Sequence, residues 1–215
     1  ENVTNVELVY AGQEVEVTET SASFYNQRQK ALVTLDKVLE QDETFGIGMN
    51  GEISAVTFGL YAQEDITAAD GSVIPADGLL EIVSVNENGQ AVCSTDLPFG
   101  SFYLKELSTD SHYLLNGKTF PFTFEYGGPS IAVVEISAND GEAVINELIR
   151  GEIKGLKTDE NGTGLGGAVI GLFKSDETEF TAENALATTT SADDGSFSFT
   201  NVPYGDWVLK ELESP

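Results

Sequence analysis

The sequence predicts an all-β protein made of β-sandwich domains, and three observations lead to this fold class. Apolar and polar residues alternate over short stretches, Asn-Gly and Asp-Gly dipeptides separate these stretches, and one block of sequence occurs twice. Alternation with a period of two is typical of strands that bury one face. Dense turn dipeptides between short strands are typical of antiparallel sandwiches.

The strand patterns are clearest in five stretches: 33–37, 55–60, 102–106, 120–126 and 196–199. Turns are predicted at six dipeptides: Asn50-Gly51, Asp70-Gly71, Asn88-Gly89, Asn116-Gly117, Asn161-Gly162 and Asp194-Gly195. Only Thr181 to Ala187 has a helical pattern, and it covers little more than one or two turns.

The composition of the chain argues against nucleic acid and membranes as binding partners. The 215 residues are 40% apolar and carry a net charge of −26, which repels nucleic acid and anionic lipid. No apolar run approaches the roughly 20 residues that span a bilayer, so we expect no membrane insertion in this segment. A secretion signal or an anchor, if the native protein has one, would lie outside this segment.

The single cysteine, Cys93, and the single histidine, His112, exclude a disulfide within the chain and a Cys/His metal cluster. Acidic turns occur, yet none has the alternating ligand spacing of a calcium loop. We therefore expect no cofactor and no metal site. Cys93 follows Ala91 and Val92 in a strand-like stretch, where a small buried apolar role is expected.

An internal repeat predicts the domain organisation. Residues 97–107 match residues 202–212, with Pro, Gly, Leu, Lys, Glu and Leu in register, and residues 58–61 match residues 170–173. The repeat predicts that the chain is a segment of a tandem array of domains. It has three parts: the closing strands of a preceding domain (1–28), a complete domain (29–150) and the front part of a following domain (151–215).

The junctions repeat as well. Asn26 lies eleven residues before Lys37, and Asn146 lies eleven residues before Lys157. We therefore expect the two asparagines to hold equivalent positions in the last strand of consecutive domains.

Strand phase places one amine, one acid and one carboxamide inside the complete domain. Val33 and Leu35 put Lys37 on the buried face, and the same alternation buries Glu106 and Asn146. Burying three such groups is unfavourable unless they meet. The following domain repeats the first two members as Lys157 and Glu211, and the preceding segment supplies Asn26.

Two interpretations of this group stay open. Burial lowers the pKa of a lysine and raises that of a glutamate, so a neutral amine could attack the carboxamide carbon while a protonated acid polarises the carbonyl and passes a proton to departing ammonia. The product is a Lys–Asn isopeptide bond between the first and last strands. The alternative is a buried Lys–Glu ion pair hydrogen-bonded by an asparagine.

The same stretches resemble the B-type repeat domains of collagen adhesins and pilins of Gram-positive bacteria. The resemblance is carried by seven segments: 33–37, 55–61, 97–100, 103–106, 144–146, 155–159 and 204–211. It implies a transthyretin-like (inverse immunoglobulin-like) β-sandwich. It also implies that Lys37 bonds to Asn146 with Glu106 as the catalytic acid, and that Lys157 and Glu211 hold the same roles in the next domain.

Two function classes remain, and a turnover enzyme is the weakest alternative to them. The first is a structural repeat of a cell-surface stalk, adhesin or pilus that is stabilised by isopeptide bonds. The second is an adhesin module that binds a host or surface ligand through the loops at 42–53 and 65–78, where Phe45, Ile47 and Met49 supply apolar surface.

The partners expected for the first class are neighbouring repeats or chains, joined head to tail. No asparagine follows Glu211, so the last part cannot close its own bond within this stretch. We expect Asn26 of one unit to approach Lys157 and Glu211 of the next, which propagates as a filament. The alternative is that both ends are arbitrary cuts.

Overall fold

The computed structural model describes residues 3–9, 20–24, 27–67 and 70–215. Within these ranges the chain forms strands and two short 3-10 helices, at Glu52–Ala55 and Ala138–Gly141. The strands are β1 (Lys30–Leu39), β2 (Thr57–Ala62), β3 (Ile66–Thr67), β4 (Val73–Ile74), β5 (Leu79–Ser84), β6 (Gln90–Val92), β7 (Gly100–Ser108), β8 (Thr119–Phe124), β9 (Val133–Ser137), β10 (Val144–Asn146), β11 (Arg150–Leu156), β12 (Val169–Lys174), β13 (Ala187–Thr190), β14 (Ser196–Pro203) and β15 (Trp207–Glu213).

Strands β1 to β10 form a sandwich of two sheets. One sheet is antiparallel, with the order β5-β2-β7-β8. The other is centred on β1, which pairs with β6 antiparallel on one edge. On its other edge β1 pairs in parallel with β9 along its first half and with β10 along its second. The first and last strands of this unit are therefore neighbours.

The core of the sandwich lies between the sheets and follows from the period-two pattern. Its largest fully buried side chains include Phe58, Phe102, Leu104 and Phe124, each no more than 1% exposed. Burial of about 1.5–3 kcal/mol per large apolar side chain holds the two sheets together. Cys93 is buried too, as predicted, and burial raises the pKa of its thiol to about 12.

Strands β11 to β15 repeat part of this arrangement. Strand β12 lies between β13 and β15 as β2 lies between β5 and β7, and β11 pairs with β14 as β1 pairs with β6. A separate small core forms, with Leu172, Phe199 and Val202 among its members. Within the described ranges nothing pairs with the second edge of β11, where β1 has β9 and β10.

The predicted all-β fold class is confirmed, but two local predictions are not. Residues 181–187 form turns and the start of β13 rather than a helix, since the Thr181 hydroxyl accepts the Asn184 N–H in a local turn. The described parts of residues 1–28 form no strand, and Phe24 is 64% exposed. A strand needs a hydrogen-bonding partner, and no strand of the described chain pairs with this segment.

The part of the chain that the structure describes contains no helix with the length and apolar character needed to cross a membrane.

Candidate functional site

Lys37, Glu106 and Asn146 meet inside the sandwich, as strand phase predicts. Their residues are 1–2% exposed, and the side chains of Lys37 and Glu106 have no exposed surface. Lys37 Nζ lies 3.7 Å from Glu106 Oε1. Asn146 Nδ2 lies 3.0 Å from each oxygen of Glu106. The group thus joins an amine, a carboxylate and a carboxamide away from solvent.

The sheet register places these groups together. In the parallel pair of β1 and β10, Lys37 is opposite Val144 and Leu39 is opposite Asn146. Lys37 and Asn146 therefore lie two positions apart on the same face, within reach of a long side chain. Glu106 comes from β7 in the opposite sheet, so the site bridges both layers of the sandwich.

The amine of Lys37 is held in an environment that disfavours its charge. Burial lowers its pKa from 10.5 to about 8, although the nearby charge and hydrogen bonding of Glu106 oppose this shift. Nζ also lies 3.1 Å from each of two backbone oxygens, those of Val38 and Val144. The neutral amine, which is the nucleophilic form, is therefore a much larger fraction of the total here than on an exposed lysine.

The site also contains two groups that sequence reasoning does not predict. The Thr109 hydroxyl accepts a hydrogen bond from Asn146 Nδ2 at 3.0 Å. The backbone N–H of Asn116 donates to Glu106 Oε2 at 2.6 Å. The repeat held a signal for the first: Ser214 follows Glu211 by three residues, as Thr109 follows Glu106, so a hydroxyl recurs at this offset.

One polar atom of the site has no partner. Asn146 Oδ1 is buried and accepts no hydrogen bond within the described residues. If the carboxamide turned by half a revolution, Oδ1 would face Glu106 and Thr109 instead. A protonated Glu106 could then donate to this oxygen, which is the arrangement that carbonyl polarisation requires.

The second copy of the site contains two of the three groups. Lys157 Nζ lies 2.9 Å from Glu211 Oε2, so the predicted pair forms. Its side chains are 27% and 34% exposed, and Leu209, two residues before Glu211 on the same strand, is 39% exposed. The strands that cover the equivalent face in the first sandwich have no counterpart among the described residues of this one.

Asn26, the predicted third member, lies outside the described residues, so the structure does not place it. Glu211 Oε1 is buried and has no hydrogen-bond partner within the described chain. At the first site both oxygens of Glu106 accept from the carboxamide of Asn146. An added carboxamide would satisfy Glu211 in the same way.

A turn glycine supports the lysine backbone in both copies. The N–H of Lys37 donates to the carbonyl of Gly89, and the N–H of Lys157 donates to that of Gly195. Both glycines have positive φ, 78° and 83°. A Cβ at Gly89 would lie 2.5 Å from the Lys37 carbonyl oxygen, and one at Gly195 would contact the Lys157 carbonyl equally closely. Only glycine fits both demands.

In the part of the chain that is described, no three acidic, histidine or cysteine side chains gather as a metal-binding group.

The fold and the buried amine–acid–amide group define a prealbumin-like β-sandwich domain, and comparison with known proteins agrees. Residues 151–215 match the SpaA family model, whose description is a prealbumin-like fold domain. The predicted transthyretin-like fold, and the resemblance to repeat domains of Gram-positive surface proteins, are thereby confirmed. No curated protein matches the chain.

A solved structure with a TM-score above 0.5 shares this fold over most of the chain, and two others are similar at lower scores. The Bacillus anthracis TIE protein is 20% identical, with a TM-score of 0.58 over 86% of this chain and 29% of its own length. A streptococcal ancillary pilin is 21% identical, with a TM-score of 0.37 over 88% of this chain and 55% of its own. A C-terminal fragment of the pilus adhesin SpaC from Lactobacillus rhamnosus GG is 14% identical, with a TM-score of 0.49 over 87% of this chain and 76% of its own. The chain thus spans less than a third of the TIE protein.

We expect Gly89→Ala to destabilise the protein more than Gly71→Ala does. Both glycines have positive φ, but nothing lies within 4 Å of a Cβ at Gly71, so that change measures backbone strain alone, about 1–2 kcal/mol. The added contact with the Lys37 carbonyl should cost about 1–3 kcal/mol more. Free energies of unfolding from urea titrations measure the difference, and equal values for the two variants would show that Gly89 does not position the lysine strand.

Proposed function

We propose that this chain is a structural segment of a Gram-positive cell-surface stalk, adhesin or pilus, and that an isopeptide bond joins Lys37 to Asn146 within it. The observation that carries the proposal is the fully buried meeting of Lys37, Glu106 and Asn146, which connects the first and last strands of one sandwich. The SpaA family match of residues 151–215 and the fold shared with the TIE protein support the extracellular role.

The bond forms by exchange of one amide for another. Lys37 transfers a proton to Glu106, and the neutral Nζ attacks the Asn146 carboxamide carbon while the protonated acid hydrogen-bonds to the carbonyl oxygen. The attacking nitrogen then loses a proton, which Glu106 relays to Nδ2. The bond from that carbon to Nδ2 breaks, ammonia leaves, and the Nζ amide remains. The reaction runs once per chain, so the protein is not a turnover enzyme.

The domain organisation follows from the same assignment. Residues 29–150 form one complete domain, residues 151–215 form the front of a second, and residues 1–28 supply the segment that becomes the closing strands of a preceding one when it pairs with that domain. The support is the shared strand pairing of the two described units and the recurrence of the Lys–Glu pair as Lys157 and Glu211.

The second site obtains its asparagine from a strand that pairs with the free edge of β11. That strand comes from an adjoining repeat or from another chain. Residues 20–26 of a neighbouring chain are candidates, because Asn26 precedes Lys37 by eleven residues, as Asn146 precedes Lys157. The orphaned Glu211 Oε1 and the partly uncovered Leu209 support this completion, because a strand on β11 would cover the site.

The adhesin alternative has less support than the sequence indicates. Of the three apolar residues named above for the 42–53 loop, Ile47 is 6% exposed and Phe45 packs against Trp207. Only Met49 keeps an exposed apolar surface, at 49%. A ligand-binding role for this loop therefore rests on one residue.

We expect the intact chain to weigh one ammonia less than its calculated mass. Lys37→Ala and Asn146→Ala should each restore the full calculated mass, because each removes one partner of the bond. The bond closes a loop of about 109 residues, which by analogy with a disulfide stabilises the fold by about 4–5 kcal/mol. Mass spectrometry decides the case: wild-type protein at its full mass would show that Lys37 and Asn146 form only a buried ion-pair network.

We expect Glu106→Ala to abolish the loss of ammonia while the sandwich still folds. The acid relays the proton, whereas β2, β7 and β8 are held by apolar packing and ladder hydrogen bonds. The variant should melt at lower temperature and be digested faster by protease. Circular dichroism confirms the fold, and Glu52→Ala, a carboxylate outside the site, is the matched control. Loss of ammonia in Glu106→Ala would contradict the assigned role.

Chain-to-chain completion predicts covalent multimers. At high protein concentration, a denaturing gel should show a ladder at multiples of the chain mass, because Asn26 of one chain reaches Lys157 of another. Asn26→Ala and Lys157→Ala should each abolish the ladder, while Lys154→Ala on the outer face of β11 should leave it unchanged. Protein that runs only as a monomer would contradict this source of the strand and assign the completion to an adjoining repeat.

A further inference from the structure

The connection between β1 and β2, residues 40–56, contains the insertion 42–53 that has no counterpart in the second unit, and this insertion contacts the unit that follows. Phe45 and Trp207 pack edge to face, with ring centroids 4.9 Å apart. Phe45 packs against both hydrophobic cores. Its apolar surface is thus used within the chain.

Trp207 is itself held in place for this contact. Its indole Nε1 donates to the Pro203 carbonyl at 2.9 Å, so the ring is fixed at the start of β15. The insertion also approaches β12, since a Cβ on Gly46 would lie 3.1 Å from Lys174 Nζ. Gly46 has a φ of 71°, a conformation that favours glycine at this close approach.

Ion pairs also connect the insertion region to the following unit. Arg150, the first residue of β11, donates to Glu40 Oε1 and to Asp42 Oδ2, each at 2.8 Å. The pair of contacts is partly buried, with the Arg150 side chain 21% exposed. Hydrogen bonds from Arg150 and Leu148 lower the pKa of Glu40, so that carboxylate stays charged over a wide pH range.

The ion pairs and the aromatic contact are one unit. The backbone N–H of Phe45 donates to Asp42 Oδ1 at 3.2 Å, while Oδ2 of the same carboxylate binds Arg150. Asp42 therefore fixes the shape of the insertion and anchors the following β11 at once. Glu40 fixes the connection between β10 and β11, residues 147–149, since its Oε2 accepts the Leu148 N–H at 2.8 Å.

We propose that the insertion 42–53 is a docking surface for the next domain of the same chain, and that it holds the two domains at one fixed orientation. Its chemistry is an aromatic ring placed on Trp207 beside Asp42, which clamps Arg150 together with Glu40 just before the insertion. This role is independent of the isopeptide bond, because none of its groups belongs to the Lys37 site.

Pulsed electron spin resonance on the full chain tests the proposal. Spin labels at Thr123→Cys on β8 and Thr190→Cys on β13, both exposed, report the distance between the units. Cys93 is buried, and burial raises its pKa to about 12, so the native thiol stays unlabelled. We expect one narrow distance distribution in the parent chain and a distribution at least twofold broader with Phe45→Ala and Arg150→Ala combined.

The matched control combines Met49→Ala with Lys154→Ala. Met49 lies in the same insertion but is exposed, and Lys154 is an exposed cation of β11 that pairs with Glu152. This control should keep the narrow distribution. Hydrogen exchange of β1 and β12 amides verifies that both units remain folded. A test variant as narrow as the control, with both units folded, overturns the proposal.

Discussion

The burial of one ionisable amine, that of Lys37, constrains the arrangement of the first sandwich. Lys37 lies on the inner face of β1, where desolvation lowers its pKa to about 8, and such a group is tolerated only with partners in reach. Those partners come from two other strands, Glu106 on β7 and Asn146 on β10. The need to bring all three together constrains the register of β1 against β10 and the distance between the two sheets.

Strand phase was enough to predict the members of the site but not its supporting groups. Alternation from Val33 and Leu35 placed Lys37 inward, and the same logic placed Glu106 and Asn146. The Thr109 hydroxyl was missed because it lies just beyond the end of β7, where alternation no longer defines a face. The backbone N–H of Asn116 cannot be predicted from any side-chain pattern.

The sequence predicted the second unit less well, for a different physical reason. Glu211 meets Lys157 as predicted, but Leu209 is 39% exposed, because a face becomes buried only when another layer covers it. The apolar residues of the insertion 42–53 do not by themselves distinguish a ligand surface from an intramolecular contact. The contact of Phe45 with Trp207 is long-range, so only tertiary structure identifies it.

The parallel pairing of β1 with β10 has a mechanical consequence. Tension that enters at the start of β1 and leaves at the end of β10 pulls these neighbours in opposite directions along their length, so their hydrogen bonds are loaded in shear rather than opened one at a time. With the proposed bond in place, the load would pass directly from Lys37 to Asn146. The intervening chain, about 109 residues and roughly 360–390 Å when extended, would then bear no tension and add no length.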